Sequence, residues 1–475
     1  FFMKGELTFN EILTASTRCW KGRKVDEFLL SLAVPIREVD PLVQLPVLAD
    51  KEQFRFLWDR IPGLCIAAAG QCQHLDLIGP QRFDVAQRFC DETLSQLVDG
   101  SPDAPIYAQA RILLSFSFFE QITQRERQPE DPPAVQAVLP RWQLTKKDRS
   151  TWLRLNAVVN DESAAREIAE HLSIMKENLS HASNELKTSI LANAAVHSIS
   201  QGWQDCYRPA LSRGIELVNS GELDKLVLAA RQSISLKHPL EPLSMLSRLR
   251  HQQASSCRFL WEINKNESFF GASPERLLTL HAGQLRSDAL AGTANQDGDG
   301  ESLLRSDKNQ REHELVVKSI TDQLICQGLE PARLSGPRLV VQGHLLHLHT
   351  PIIASSCGKP PLHIVGSLHP TPAVAGLPRK NALNWLRALE PFKRGNYAAP
   401  IGWIDNSGNA EFRVAIRCGY SRGKKLDLIA GAGLVRGSSI EGELEEVSLK
   451  LAVLADQLDL GLASQFKVFN SRSKI

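Results

Sequence analysis

The sequence predicts an α+β fold of antiparallel sheets with helices packed outside. Three observations carry it. Short strand-like runs recur along the chain, most are joined by hairpin turns rather than helical crossovers, and the clearest helical patterns are amphipathic. The 475 residues are 43% hydrophobic and 23% charged, which is ample material for a globular core.

Taken in order, RFLWDRIPGLCIAAAG (55–70) reads as two strands around an Ile61-Pro62-Gly63 turn. APIYAQARILLSFSFF (104–119) holds another strand, and the proline-rich 125–145 segment is an exposed loop leading into one more. From Glu162 to about Ile190 the pattern is a charged amphipathic helix without Gly or Pro, a natural hinge between two halves. Strands then recur at 223–231, 257–263, 267–273 and 276–288, with turns at Asn264-Lys265-Asn266 and His281-Ala282-Gly283. A helix is expected at about 307–327, paired strands at 400–435 and a last helix at about 440–459. Residues 1–205 form the less informative N-terminal half and 206–462 the catalytic region, together one structural domain, with 463–475 a loose tail.

With 55 basic and 53 acidic residues, no global field favours nucleic acid or an anionic membrane. No apolar run approaches the roughly 20 residues that span a bilayer. The start, FFMKGELTF, has no secretory pattern, and the sequence does not set the origin of Phe1 and Phe2 ahead of Met3. Nine scattered cysteines never form C-x-x-C, which argues against structural zinc or a disulfide framework and fits a reducing, cytoplasmic setting.

Five groups of residues could carry chemistry. Lys225 stands at the mouth of the apolar run LVLAA; it either snorkels to water or points inward, where desolvation frees an amine for base chemistry. In GASPERLL (271–278) Glu275 follows a prolyl turn, as a solvated partner of Arg276 or as a positioned acid. In REHELVVKSITDQL (311–324) Glu312, Val316 and Ile320 share a helix ridge over the core, while Glu314 points elsewhere. In SSIEGELEEVSLKLAVLADQL (438–458) Ser438 or Ser439 can cap a helix whose apolar stripe is Leu444, Val447, Leu451, Leu454 and Leu458. Glu443, Glu446 and Lys450 share one flank of it, either as surface acid–base pairs or with the two carboxylates as oxygen ligands for Mg²⁺. The glycines of LAGTANQ (290–296) and IAGAGLV (429–435) let backbone N–H groups approach an anion, and Arg417 sits among apolar strand neighbours. No G-x-G-x-x-G or Walker spacing is present.

In order along the chain, LDKLVLAAR, GASPE, LAGT, REHELV, HLHTPI, LHPTPAVAGLP, EPFKRGNYAAPIGW, AIRC, AGAGLV and GELEEVSLK resemble the motif series of chorismate-utilising enzymes. The nearest likeness is to isochorismate synthases of the menaquinone or phylloquinone type. It is dense from Lys225 to about Leu458 and thins upstream, where FLWDR, IAAAG and VLPRW still look similar.

That resemblance implies two antiparallel sheets stacked face to face around a buried pocket for chorismate and Mg²⁺. It implies Lys225 as general base and Glu275 as general acid. Glu312 and Glu446 would be metal carboxylates, with Glu443 beside them or acting through water. Gly292 and Thr293 would hold the ring carboxylate; Arg417 and the Gly431–Ala432–Gly433 backbone would hold the enolpyruvyl carboxylate, with His347 and Lys450 near the substrate. The implied reaction adds water at ring carbon 2 and expels the hydroxyl at carbon 4. Salicylate synthase, which then eliminates pyruvate, is the alternative, and His349 lies at a position that varies among the subfamilies. Anthranilate and aminodeoxychorismate synthases lack this lysine and rely on a glutaminase partner, which is not expected here; a monomer or weak homodimer is.

Overall fold

The structure, a computed structural model, describes residues 8–21, 27–60, 63–120, 131–183, 196–200, 202–295 and 300–458. The Ile61-Pro62 turn, part of the proline-rich loop and the expected tail lie outside these residues.

The fold is α+β, and its two antiparallel sheets are wings of one continuous ladder. The joint is strand Val135–Lys147, whose length lets it pair with Leu64–Leu77, Arg111–Phe116 and Ser150–Val159. From Leu64–Leu77 the first wing runs through Arg55–Asp59, Cys257–Asn264, Glu267–Ser273, Cys418–Arg422 and Lys425–Leu434 to Lys225–Leu236. From Arg111–Phe116 the second runs through Pro400–Asp405, Ala410–Val414, Arg276–His281 and Gln284–Asn295 to Leu345–Ser355. Phe28–Ile36 with Leu97–Asp99 is a parallel pair at the margin. One apolar core cluster runs from Ile12 to Leu458.

The chain crosses between the wings at Pro274–Glu275 and again at 415–417, and these crossings lie side by side. Val414 N–H donates to Glu275 O (3.1 Å), Ala272 N–H to Arg417 O (3.0 Å) and Ser273 Oγ to Val414 O (2.6 Å).

The long helix spans Glu162–His181, capped by Asp161, whose side chain accepts from Ala164 N–H. It stops short of Ile190: Ala182 is already extended, and 184–195 lie outside the described residues. Leu179 is its last buried contact, and short helices persist only where burial holds them. Its inner face, Ala165, Ile168, Ala169 and Leu172, packs into the common core. The helices Asp307–Cys326 and Ile440–Ala455 fall where expected, with Val316, Ile320, Leu444, Val447, Leu451 and Leu454 buried. The second begins at Ser439, whose hydroxyl accepts from Gly442 N–H, and ends a turn earlier than expected.

Candidate active site

Lys225 opens strand Lys225–Leu236 and is fully buried, so it does not snorkel. Side chains alternate along a strand, which puts Lys225, Val227 and Ala229 on one face. Gly433 and Gly431 of the neighbouring strand stand in register with Val227 and Ala229. Lys225 Nζ donates to Glu312 Oε1 at 2.8 Å. The pair fits because position 433 has no side chain: a Cβ there would lie 2.5 Å from Glu312 Oε1 and 3.1 Å from Lys225 Cε.

Glu275 and Arg417 occupy the two crossings between the wings. Glu275 is 4% exposed, and Thr371 Oγ1 lies 3.5 Å from its Oε1. Burial raises its carboxyl to about 7, against the opposing pull of Lys225, Lys450 and Arg417. Arg417 is held in the left-handed region (φ +50°) and is also buried, which lowers its guanidinium to about 10. His347 Nδ1–H donates to Gly292 O at 3.0 Å, leaving Nε2 to accept from Arg417 Nη2 at 2.5 Å. Burial, with Arg417 and Lys450 nearby, keeps this imidazole neutral well below its usual range, in keeping with that tautomer. Gly292 (φ +74°) sits at a bulge in strand Gln284–Asn295, where pairing with Leu345–Ser355 slips and sets Thr293 opposite His347.

Each of the three carboxylates expected at a metal holds a lysine. Glu312 has Lys225, Glu443 has Lys308 at 2.7 Å, and Glu446 has Lys450 at 2.7 Å. Lys450 also donates to Gly431 O at 2.9 Å. Burial would raise Glu312, but Lys225, Lys450 and Lys308 outweigh it and hold the carboxyl low. Glu443 goes the other way, raised by burial and by Glu446 despite Lys308. Among the described residues no three carboxylate, imidazole or thiolate side chains are gathered to hold a metal as they stand. The donors nevertheless suit a hard divalent cation: all are carboxylates, and Glu443 Oε2 is buried without a hydrogen-bond partner. A cation entering here has lysines to displace.

These residues meet around a small cavity of ≈ 70 Å³. Glu275, Gly292, Thr293, Glu312, His347, Arg417, Gly431, Gly433, Glu446 and Lys450 all line it. Lys225 and Glu443 stand behind that lining, reaching it through Glu312 and beside Glu446. His349 is outside the wall: its Nε2 lies 3.3 Å from Asp288 Oδ1, and Arg338 Nε lies 3.5 Å from its Nδ1.

Three residues escaped the sequence reading. Thr371 and Tyr397 lie within the LHPTPAVAGLP and EPFKRGNYAAPIGW motifs without an assigned role, and Tyr397 joins the cavity wall. Lys308 precedes Glu312 by one helical turn, an i, i+4 spacing that marks it as a possible charge partner; the structure pairs it instead with Glu443.

Residues 14–459 match the family described as chorismate binding enzyme. The chain is 32% identical over 328 residues to isochorismate synthase MenF of Bacillus subtilis (strain 168), covering 67% of this chain and 69% of that one. It is 32% identical over 328 residues to isochorismate synthase MenF of Haemophilus influenzae, covering 67% and 74%. Among solved structures, MenF, the menaquinone-specific isochorismate synthase from Escherichia coli, matches with a TM-score of 0.73 at 27% identity, over 94% of this chain and 100% of that one.

Proposed function

This chain belongs to the chorismate binding enzyme family, and on that premise we propose that it is an isochorismate synthase, an isomerase that moves the ring hydroxyl of chorismate from carbon 4 to carbon 2. The observation that carries the reading is a buried carboxyl raised to about 7, Glu275, in the wall of one cavity, with a buried amine, Lys225, behind that wall and joined to it through Glu312.

Water is a poor nucleophile near neutrality and hydroxide a poor leaving group, so the reaction needs a base and an acid. Lys225, as the free amine, takes a proton from water while the water oxygen bonds to carbon 2. Glu275, as the neutral acid, gives its proton to the carbon 4 oxygen, which leaves as water. Opposed protonation states of this kind are what a closed pocket can sustain. Help of this type is worth roughly 10²–10⁴ in rate. In the structure the Lys225 amine donates to Glu312.

Arg417 and Lys450 supply positive charge for the substrate's carboxylates, with Gly292, Thr293 and the Gly431–Gly433 backbone shaping the cradle. Glu312 and Glu446, with Glu443 beside them, would hold Mg²⁺. When bound, Mg²⁺ offsets the negative charge of the ring carboxylate. Menaquinone biosynthesis is the pathway favoured by the relatives' names. No helix among the described residues is long and apolar enough to cross a membrane. Product identity from chorismate without ammonium tests the proposal.

A further inference from the structure

Arg417 is held from behind by two uncharged turns. Gln253, just past helix Pro242–Gln252, is 1% exposed, and its Oε1 accepts from Arg417 Nη1 at 3.3 Å. Gln342 O accepts from the same nitrogen at 3.5 Å. The turns are also tied to each other, because Ser255 Oγ donates to Gln342 Oε1 at 2.6 Å. Gly343 (φ +66°) makes the space for Gln253: a Cβ there would lie 2.0 Å from Gln253 Nε2.

A guanidinium has five N–H donors. Gln253, Gln342 and His347 engage three of them, which leaves Nε–H and one Nη2–H for an anion in the cavity that Arg417 lines. All three partners are uncharged acceptors. They fix the plane of the guanidinium without cancelling its charge, whereas a carboxylate at position 253 would compete with the substrate.

We infer that Gln253 is a positioning residue, fixing the Arg417 guanidinium so that its remaining donors meet a carboxylate of the substrate. The inference rests on the reading of Arg417 as a carboxylate holder. It predicts an effect on substrate capture rather than on the proton transfers.

The test compares KM and kcat for chorismate with Mg²⁺ in full-length wild type, Gln253→Leu, Gln253→Asn, Arg417→Met and the Gln253→Leu/Arg417→Met double variant. Folding is checked by circular dichroism. Gln253→Leu removes the acceptor and Gln253→Asn withdraws it; each should raise KM about tenfold with kcat within about twofold. In the Arg417→Met background Gln253→Leu should add nothing, because its route to the substrate is already gone. If Gln253→Leu does not fold, Gln253→Asn, alone and combined with Arg417→Met, carries both comparisons. Unchanged KM in the folded variants, a fall in kcat alone, or a full tenfold effect added to Arg417→Met would overturn the role. Wild type that does not turn over chorismate would instead reject the functional reading itself.

Discussion

The Lys225 amine and Glu312 Oε1 lie 2.8 Å apart in the space that a side chain at Gly433 would fill. Three separate elements thus share one ion pair: the start of strand Lys225–Leu236, the second turn of helix Asp307–Cys326, and a glycine in strand Lys425–Leu434. Breaking a buried pair from one side leaves an uncompensated charge, so substitutions here must be chosen with the partner in mind.

Gly433→Ala tests that packing. The added methyl would sit 2.5 Å from Glu312 Oε1 and 3.1 Å from Lys225 Cε, so it fits only if the paired side chains shift. Overpacking of this kind costs about 1–3 kcal/mol. Urea unfolding should show the loss, and turnover should fall at least tenfold. A variant with the stability and kcat of wild type would show that the pair has room to spare.

Replacing the amine probes the base. Lys225→Gln keeps a donor for Glu312 but cannot accept the proton, so kcat should fall by roughly 10²–10⁴. Calorimetry should still detect chorismate binding within a few-fold of wild type. Retained turnover would remove Lys225 from the chemistry.

Glu275 sets a pH dependence whose sign is fixed by its raised carboxyl. Its ordinary value is 4.5 and burial lifts it to about 7, so the neutral acid is the form the fold favours. The associated stability is fully present below 4.5 and is lost as pH rises through about 7, a loss on the order of 3 kcal/mol. The acid needed for catalysis disappears over the upper part of the same window. The kcat/KM profile should therefore descend above about pH 7, and Glu275→Gln should flatten the pH dependence of unfolding while abolishing turnover. A profile flat to pH ~9 would contradict the acid role.

Metal binding is best read without turnover. Glu446→Gln and Glu443→Gln each remove charge from the carboxylate set, and each should weaken Mg²⁺ in a direct titration by about tenfold or more. Affinity equal to wild type in both would place the cation elsewhere.

The sequence carried much of this site, but unevenly. The face shared by Glu312, Val316 and Ile320 follows from helical spacing alone, and all three are buried. Helix Pro41–Leu48 left no such trace, because Leu42, Gln44, Leu45 and Leu48 bury it on several sides and no polar face remains. The roles of Lys225 and Glu275 came from the ordered motif series, since each residue taken singly is compatible with a solvated surface charge. What one dimension cannot hold is the pairing of distant groups. Lys308 is four residues from Glu312 yet bonds Glu443, and Gln253 meets Arg417 only because two turns close on each other.

The most direct measurement is chromatography of the products formed from chorismate and Mg²⁺ by the purified chain, without ammonium. The account predicts isochorismate alone. Salicylate with equimolar pyruvate, or no product without ammonium and anthranilate in a parallel run with ammonium added, would contradict it.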